Sequence, residues 1–440
     1  MRTSFLWVAG ALALSALAFP SEARACGGCF HIQQSETGQV TGHRMIFSVS
    51  PEATSLWDQI SYAGSPETFA WVLPIHGQVQ IGLSSDALFN QLESVTKVEV
   101  HSPDIECPLD PCGEGTGGGS PNSTFTTTST STGVTVIAQE TVGPYETAQL
   151  SASDPLALNT WLDSHGYVIP LDVEPIIADY VAEGFDFLVM KLVPGEGVSS
   201  MRPVRVTSPG AGLSLPLRMV AAGTGEVTPI SLWVVAEGRY EPANFPSFLI
   251  DDQKLVWDWD TQSSNYGLLK KEGFDATQGK GWLIEAAYAI SGNNIGVPVV
   301  ELAQENTAES GYDADPTTAT EEAIADVEAL YGSIPPASIW VTRMTAELPK
   351  SALDKDLELG AEATQDYVFS AHYISPNNTT GTPPKCPGTD GCGNGGSGSG
   401  SGQDSGGCGV SPGGSAPFGT ALLAGAAGLA TALLRRRRRR

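Results

Sequence analysis

Two cysteines near the N-terminus are the first residues whose spacing could do chemistry. Cys26 and Cys29, in Cys-Gly-Gly-Cys, could form a redox pair, belong to a metal site, accept a lipid at Cys26, or form a structural disulfide. A thioredoxin-type pair lies between a strand and the first turn of a helix, and this pair does not. A zinc site needs a second Cys or His pair at matching spacing; His31 lies two residues after Cys29, but no such pair follows. The sequence therefore favours a structural disulfide.

The segment before this pair is typical of a secretory signal peptide. Arg2 is followed by an apolar run over residues 5–19, then Pro20, then small residues ending in Ala23-Arg24-Ala25. We expect signal peptidase to cleave after Ala25, so that Cys26 becomes the first residue of the mature protein. Lipoprotein signals also end at a cysteine, but they have a small or apolar residue where Arg24 stands.

The remaining cysteines fit an oxidising compartment. Cys107 and Cys112 form a second close pair, Cys386 and Cys392 form a third, and Cys408 is left over. Six cysteines allow about fifteen connectivities, so local pairing is only the simplest arrangement. We therefore predict a disulfide-stabilised, exported protein.

Two pairs of alternate carboxylates could hold calcium. The first pair is flanked by tryptophans whose rings could stack on sugars, and the second lies in Gly-Tyr-Asp-Ala-Asp-Pro. The residues are Trp257, Asp258, Trp259 and Asp260 in the first stretch, and Asp313 and Asp315 in the second. Neither pair is followed by the other ligands of a calcium loop. Solvated turns are the simpler interpretation; a ligand-binding stretch at 257–260 and a weak calcium site at Asp313 and Asp315 are the alternatives.

No catalytic residue is predicted from the motifs. The chain has no G-x-S-x-G, no H-E-x-x-H and no Walker loop, although a triad assembled in space would leave no such motif. His43, His76, His101 and His165 could each act as a base. His165 lies at the predicted C-terminal end of a helix, where the helix dipole favours an imidazolium. No cofactor is predicted, apart from the possible calcium ion.

The charge balance argues against nucleic acid as a partner. The chain has 23 basic and 49 acidic residues, a net charge of −26, and removal of both basic ends makes the mature protein more acidic. A field of that sign repels phosphate backbones and anionic membrane surfaces. The hydrophobic fraction of 41% is ample for a core.

Hydrophobic periodicity predicts an α+β fold with a largely antiparallel β-sheet core and a few short helices. Helices are expected over 86–93, from Asp154 to Gly166, from Pro175 to Gly184, and from a capping box at Thr318. Strands are expected at 39–50, 56–62, 68–74, 134–138, 145–150, 185–193, 213–221, 228–237, 338–346 and 367–373. The pattern weakens after Asn244.

Domain organisation follows from composition. Residues 26–374 form the ectodomain, as one unit or as subdomains 26–150 and 151–374, with a mobile Gly- and Ser/Thr-rich loop at 113–133. Phe69-Ala-Trp-Val-Leu-Pro74 is more simply a core strand, its edge blunted by Pro74, than a ligand groove. Residues 375–407 are rich in Gly, Ser and Pro and should form a flexible stalk.

The C-terminus resembles the sorting signals of the MYXO-CTERM type found in myxobacteria. Gly407-Cys408-Gly409 is followed by an apolar span at 418–434, predicted as a transmembrane helix, and by six terminal arginines. The resemblance implies that residues 408–440 are a sorting signal whose tail is removed by a myxosortase-type protease acting at Cys408, and that the protein is retained at the cell surface or outer membrane. A plain single-pass anchor is the alternative.

A second resemblance covers most of residues 26–375. The motifs that carry it include Cys26-Gly-Gly, Tyr62-Ala-Gly64, Phe69-Ala-Trp-Val-Leu-Pro74, Trp161-Leu-Asp-Ser-His-Gly-Tyr167, Phe187-Leu-Val-Met-Lys191, Pro216-Leu-Arg218 and Thr342-Arg-Met-Thr345. In this order they resemble a secreted bacterial family, domain-of-unknown-function family 2330. The resemblance implies export, and the family offers no catalytic residues to transfer.

Two functional hypotheses follow. The first is a non-enzymatic surface protein that acts in adhesion, envelope structure or the binding of an unknown extracellular ligand. It rests on the two sorting signals, the stalk, the disulfides and the lack of catalytic motifs. The alternative is a surface-anchored hydrolase acting on extracellular polymers, with the aromatic and acidic stretch at Trp257 as its candidate site.

Overall fold

The computed structural model of the 440-residue chain describes residues 28–30, 43–59, 70–105, 139–167, 173–197, 200–221 and 226–384. In this part of the chain the strands are β1 (Gly28–Phe30), β2 (His43–Val49), β3 (Ala53–Gln59), β4 (Ala70–Ile75), β5 (Gln80–Leu83), β6 (Glu99–His101), β7 (Gln139–Val142), β8 (Tyr145–Leu150), β9 (Asp186–Leu192), β10 (Val204–Pro209), β11 (Ser214–Leu215), β12 (Val227–Ala236), β13 (Tyr240–Pro242), β14 (Ser247–Phe248), β15 (Trp257–Asp258), β16 (Ser263–Ser264), β17 (Trp282–Ile290), β18 (Ile339–Pro349), β19 (Leu357–Ala361), β20 (Ala371–Tyr373) and β21 (Thr379–Thr380).

The helices of the same residues are α1 (Asp86–Thr96), α2 (Pro155–Ser164), α3 (Glu174–Ala182), α4 (Leu217–Val220), α5 (Tyr266–Ala276), α6 (Asn293–Glu305), α7 (Thr307–Ser310) and α8 (Pro316–Tyr331). Three short 3-10 turns lie at Asp252–Lys254, Pro336–Ser338 and Lys350–Ala352.

Two large sheets organise the molecule. The first has eight strands in the order β14-β17-β18-β12-β2-β3-β10-β5, and the second has five in the order β1-β4-β9-β8-β7. The pairing is antiparallel except at β12 with β2 and at β14 with β17 in the first sheet. The predicted α+β class with a largely antiparallel core is therefore confirmed.

The two sheets pack face to face between two layers of helices. One apolar cluster lies between the sheets and takes residues from both, such as Met45 and Phe47 from β2 and Leu188 from β9. A second cluster lies between the eight-stranded sheet and α1, α6 and α8, and a third between the five-stranded sheet and α2 and α3. Because both faces of each sheet are covered, strand β2 has apolar side chains on both faces, with Ile46 pointing to the helices.

The chain passes repeatedly between these layers. The eight-stranded sheet contains β2, β3 and β5 from before residue 150 and β10, β12, β14, β17 and β18 from after it. The five-stranded sheet likewise pairs β4 with β9. Both sheets thus combine strands from either side of residue 150.

Local sequence signals account for the predicted helices. Ser85 Oγ accepts a hydrogen bond from the Ala87 N–H (3.0 Å) and caps α1, while Asp154 Oδ1 accepts from the Leu156 N–H (3.0 Å) and caps α2. Pro155 occupies the first turn of α2, where a missing N–H costs nothing. Helix α3 buries Ile177, Tyr180 and Val181. The predictions of these three helices are confirmed.

One predicted strand and one predicted helix cap are wrong. The strand expected at 213–221 is only two residues long and is followed by helix α4, because the apolar residues after Pro216 close the inter-sheet core from one side. The cap of α8 is Asp315 and not Thr318; Asp315 Oδ2 accepts from the Thr318 N–H (3.0 Å), and Pro316 forms the first turn.

The largest elements without a prediction are α5, β17 and α6. Strand β17 is buried over Trp282–Ala287 and contains Glu285 at a bulge, which interrupts any regular alternation. Helix α6 has Pro298 in its interior and two asparagines at its start, residues that normally indicate a turn.

Several predicted segments lie outside the described residues. These are the signal peptide at 1–25, the strand at 134–138, the loop at 113–133, the part of the predicted 375–407 stalk after residue 384, and the sorting signal at 408–440 with its predicted membrane helix at 418–434. The start of the predicted stalk is described and is not free of structure, because β21 (Thr379–Thr380) pairs with β15. Within the described ranges, no helix combines the length and apolar composition needed to span a bilayer.

Candidate functional site

The gap between the two sheets opens to the surface as a cleft. Its outer part has a volume of about 410 Å³. Phe47, Leu56 and Val206 of the eight-stranded sheet form one wall, and Leu73 and Ile75 of β4 form the other. The segment 208–216 closes one side, and the exposed His76 and Glu358 lie at the open end. We call this space the inter-sheet cleft.

A smaller cavity adjoins the inter-sheet cleft at its buried end. Both spaces are lined by Leu56, Leu73, Leu215 and Pro216, so the smaller one continues the larger. Its volume is about 20 Å³, which is room for about one water molecule. Its further lining residues are Met45, Asp58, Trp71, Val72, Met219 and Val220. We call it the inner cavity.

Asp58 is the acidic residue of the inner cavity. Strand register places it opposite Met45 of β2 and opposite Val204 of β10, and all three side chains share the face that points into the inter-sheet core. Its exposure is 3%, and its Oδ1 has no hydrogen-bond partner in the described part of the protein. Burial raises the pKa of the Asp58 carboxyl well above its usual range, which favours the protonated form.

Trp71 supplies a second polar atom from the opposite sheet. The ring is 1% exposed, and its Nε1 also lacks a hydrogen-bond partner among the described residues. An indole N–H can only donate. Unpaired buried polar atoms are uncommon and costly, so two of them lining one cavity indicate a site that a bound molecule could satisfy.

His43 lies on the same face of β2, two residues before Met45. Its side chain is 2% exposed, and burial lowers its pKa to about 3, so the imidazole is neutral at physiological pH. The other residues that line the inner cavity are uncharged as well, so burial raises the pKa of Asp58 without a compensating cation.

Helix α4 forms one wall of the inner cavity and is held in place by Arg218. The guanidinium binds both oxygens of Glu183 (2.7 and 2.6 Å) and contacts Asp356 Oδ2 (2.8 Å). The Tyr180 hydroxyl donates to Asp356 Oδ1 (2.6 Å), and the Arg218 guanidinium lies 4.1 Å from the centre of the Tyr180 ring. These contacts among Arg218, Glu183, Tyr180 and Asp356, which we call the clamp, join α4 to α3 and to Asp356, the residue before β19.

A second cavity lies on the other face of the eight-stranded sheet and is polar. It has a volume of about 470 Å³ and separates α8 from β3, β5 and β10. Three of its polar side chains already have partners within the protein: Arg205 pairs with Asp326 (2.6 Å), and the Ser55 and Thr207 hydroxyls bond to each other (2.8 Å). The inner cavity at the end of the inter-sheet cleft has two buried polar atoms without a partner among the described residues, so the cleft is the stronger candidate.

The stretch at 257–260 uses its carboxylates for local structure. Asp258 Oδ1 accepts from the Asp260 N–H (2.8 Å), and Asp260 Oδ1 accepts from the Thr382 N–H (3.0 Å). Trp257 and Trp259 are half-buried and meet edge to face at 6.1 Å. The four residues therefore lie together in one turn, in which the carboxylate oxygens of Asp258 and Asp260 accept hydrogen bonds from backbone amides.

Asp313 and Asp315 also engage backbone amides. Asp313 Oδ1 accepts from the Asp315 N–H (2.8 Å), and the Thr318 backbone and hydroxyl hold the pKa of Asp315 below its usual value. Within the described residues, no three His, Cys, Asp or Glu side chains are grouped as metal ligands would be. A calcium ion at this turn would compete with the helix cap.

The histidines considered as bases lie apart. His165 ends α2, as predicted, and its Nδ1 lies 2.8 Å from the Trp161 carbonyl oxygen. His76 packs on Phe185 with 3.9 Å between ring centres, and His101 stacks on Tyr373 at 4.7 Å. The sequence did not predict the pairing of His372 with Asp252, in which His372 Nδ1 lies 2.6 Å from Asp252 Oδ1.

Sequence reasoning also missed Asp58 as a site residue, although it lies in a predicted strand. The available signal was that Asp58 is an acidic residue on the strand face that otherwise carries inward-pointing apolar residues. Trp71 belongs to the quoted Phe69-Ala-Trp-Val-Leu-Pro74 motif, and residues 70–74 of this motif lie in the fully buried strand β4, as predicted. The disulfide candidates Cys26, Cys107, Cys112, Cys386 and Cys392, and the processing residues Ala25 and Cys408, lie outside the described residues. Only the backbone of Cys29 is described.

The fold and the cleft define a four-layer α+β protein with a partly buried cleft between its sheets. Over residues 20–360 the chain matches the family described as an uncharacterized protein conserved in bacteria, DUF2330, and it belongs to that family. No curated protein matches the chain. A mutated baculovirus P35 after caspase cleavage aligns with 73% of this chain and 100% of that chain, at 10% identity and a TM-score of 0.29, too low to relate the folds.

Proposed function

We propose that this protein is exported to the cell surface, is held there through its C-terminus, and binds a small apolar ligand in the inter-sheet cleft. The observation that carries the binding role is the buried end of the cleft, where Asp58 and Trp71 present unpaired polar atoms between apolar walls. A concave, mostly apolar space with a few convergent polar groups is the usual form of a small-molecule site.

The surface location is supported by the sequence at both ends. Signal peptidase would release Cys26 as the first residue, and a myxosortase-type protease would act at Cys408. The paired cysteines fit the same oxidising compartment. Mass spectrometry of the protein recovered from the envelope tests this: an N-terminus at Cys26 and loss of the arginine tail support it, and an intact chain in the cytoplasm contradicts it.

Binding in the cleft is tested with an uncharged environment-sensitive dye such as Nile red. Leu213 lines the cleft and is half-buried, so Leu213→Trp should narrow the opening and weaken dye binding about ten-fold. Leu156, which is 72% exposed on α2, provides the matched control, and Leu156→Trp should leave binding unchanged. Equal dye affinity in the two variants would place the binding site elsewhere.

A surface hydrolase is the second candidate. The observation that favours it is the His372–Asp252 pair, because a carboxylate that orients an imidazole is a common part of a general base. The ring of Tyr266 lies 5.5 Å from the ring of His372. Turnover of a peptide or glycan that is lost in His372→Ala, with dye binding intact, would favour the hydrolase; no turnover on a broad panel would count against it.

A further inference from the structure

We infer that the inner cavity recognises an uncharged oxygen acceptor, such as the carbonyl of a ketone or amide, at the end of an apolar chain. This rests on the proposed binding role of the inter-sheet cleft and names the class of ligand that the cleft would take. The ligand would enter with its carbonyl group first, and its chain would lie in the outer cleft.

The first argument is the donor character of the inner cavity. Trp71 Nε1 is a donor only, and it has no acceptor within the described structure. Asp58 lacks a cation or a hydrogen-bond donor at its Oδ1, so the carboxyl is stable there in its neutral form, which carries an O–H. Because Asp58 and Trp71 line the same cavity, one acceptor oxygen bound there could satisfy both donors.

The second argument is charge. The other lining residues of the inner cavity are apolar: Met45, Leu56, Val72, Leu73, Leu215, Pro216, Met219 and Val220. An anionic head group would be buried there without a cation, and a carboxylate is costly to desolvate in such surroundings. An ammonium group could ionise Asp58, but the Trp71 N–H would then face a cation. An uncharged acceptor satisfies both residues without burying a charge.

The third argument is size. The inner cavity, about 20 Å³, has room for about one water or one terminal oxygen atom. The outer cleft of about 410 Å³ has apolar walls from both sheets and suits a hydrocarbon chain. The narrow polar end and the wide apolar end therefore fix the orientation of the ligand.

Three probes of equal chain length test the inference: 2-octanone, octylamine and octanoate, each titrated against the dye-loaded full-length protein. We expect 2-octanone to bind about ten-fold more tightly than either charged probe, the difference that one to two net hydrogen bonds provide. Tighter binding of octylamine or octanoate would overturn the inference.

Two further variants locate the recognition. Trp71→Phe keeps the aromatic ring and removes the N–H, and it should weaken 2-octanone binding about five- to ten-fold. Asp58→Asn keeps the shape and retains an N–H donor, so 2-octanone should bind within about three-fold of wild type. Loss of octylamine binding in Asp58→Asn, with octylamine the tightest probe of the wild type, would identify a cation site and reject the carbonyl.

Failure of the inference can be distinguished from failure of the proposed function. If the dye binds in the cleft but the three probes compete equally and Trp71→Phe has no effect, the carbonyl preference is wrong and the binding role stands. If neither dye nor probe binds the folded protein, both are wrong.

Discussion

Arg205 of β10 and Asp326 of α8 form an ion pair of 2.6 Å that joins the eight-stranded sheet to the helix layer above it. Asp326 is fully buried and accepts three more hydrogen bonds, from Trp57 Nε1 (2.9 Å), the Ser84 hydroxyl (2.5 Å) and the Tyr312 hydroxyl (2.8 Å). One carboxylate therefore connects five separate parts of the chain. A buried charge with this many donors is a strong structural link, because each donor would otherwise be left unsatisfied.

Asp326→Asn should destabilise the fold by about 3–5 kcal/mol, since the amide keeps the volume but leaves Arg205 without its counter-charge and turns an NH₂ toward other donors. Urea unfolding monitored by tryptophan fluorescence measures the change. Asp354→Asn, at an exposed position, is the matched control and should leave the midpoint unchanged. A loss below about 1 kcal/mol for Asp326→Asn would contradict the structural role.

Helices with local signals were predictable from the sequence, and the contacts between them were not. Asp154, Pro155 and Gly166 mark the start and end of α2 within the chain itself, so no tertiary information is needed. The Asp326 network brings together residues more than a hundred positions apart, such as Trp57 and Arg205. No local pattern indicates that these residues will meet.

Gly296 of α6 packs directly against α8, and we predict that Gly296→Ala is destabilising. A Cβ at this position would overlap the Tyr331 hydroxyl and lie 2.7 Å from Val327 Cγ1. Alanine normally stabilises a helix by about 1 kcal/mol relative to glycine. The cost of the steric overlap must therefore exceed that gain for Gly296→Ala to lower the free energy of unfolding. Gly267 of α5, with open space around it, is the control, and Gly267→Ala should raise the free energy of unfolding by about 0.5–1 kcal/mol. Stabilisation by both substitutions would show that α6 can move away from α8.

The candidate site depended on strand register, which the sequence left open. A strand was predicted over residues 56–62, so an extended conformation for Asp58 was expected. Which way its side chain points follows from its pairing with Met45 and Val204. Its meeting with Trp71 follows from the packing of a second sheet. A shift of one residue in β3 would turn Asp58 toward the helices, and local periodicity does not distinguish the two registers.

Arg218→Lys should weaken the clamp that holds α4 over the inner cavity. Lysine cannot bind Glu183 through two parallel hydrogen bonds and contact Asp356 as well, so Asp356, buried to 9% exposure, loses a partner. We expect a loss of about 1–3 kcal/mol in the free energy of unfolding. Lys271→Ala is the control, because the Lys271–Asp275 pair is exposed and should not affect the unfolding midpoint. Equal midpoints for wild type and Arg218→Lys would mean that the clamp contributes little.

Asp58 should make the fold less stable as the pH rises. Its pKa is raised in the folded protein and lies near 4 in the unfolded chain, so the folded state binds more protons between these two values. Stability is therefore highest below the unfolded pKa and falls as the pH rises toward the folded one, by at most about 1.4 kcal/mol per pH unit. His43 acts in the opposite direction. Its pKa is lowered to about 3 in the folded protein, so its contribution to the free energy of unfolding is lost as the pH falls below about 6.5.

Asp58→Asn separates the two effects, because both proteins retain His43 and its contribution cancels in their difference. The variant should gain stability relative to wild type as the pH rises from about 4.5 to about 8, with a slope of up to about 1.4 kcal/mol per unit until the folded pKa is reached. Urea unfolding at each pH gives the difference directly. A difference that stays constant over this range would mean that Asp58 ionises in the folded protein as readily as in the unfolded chain, and that it has found a partner which stabilises its charge.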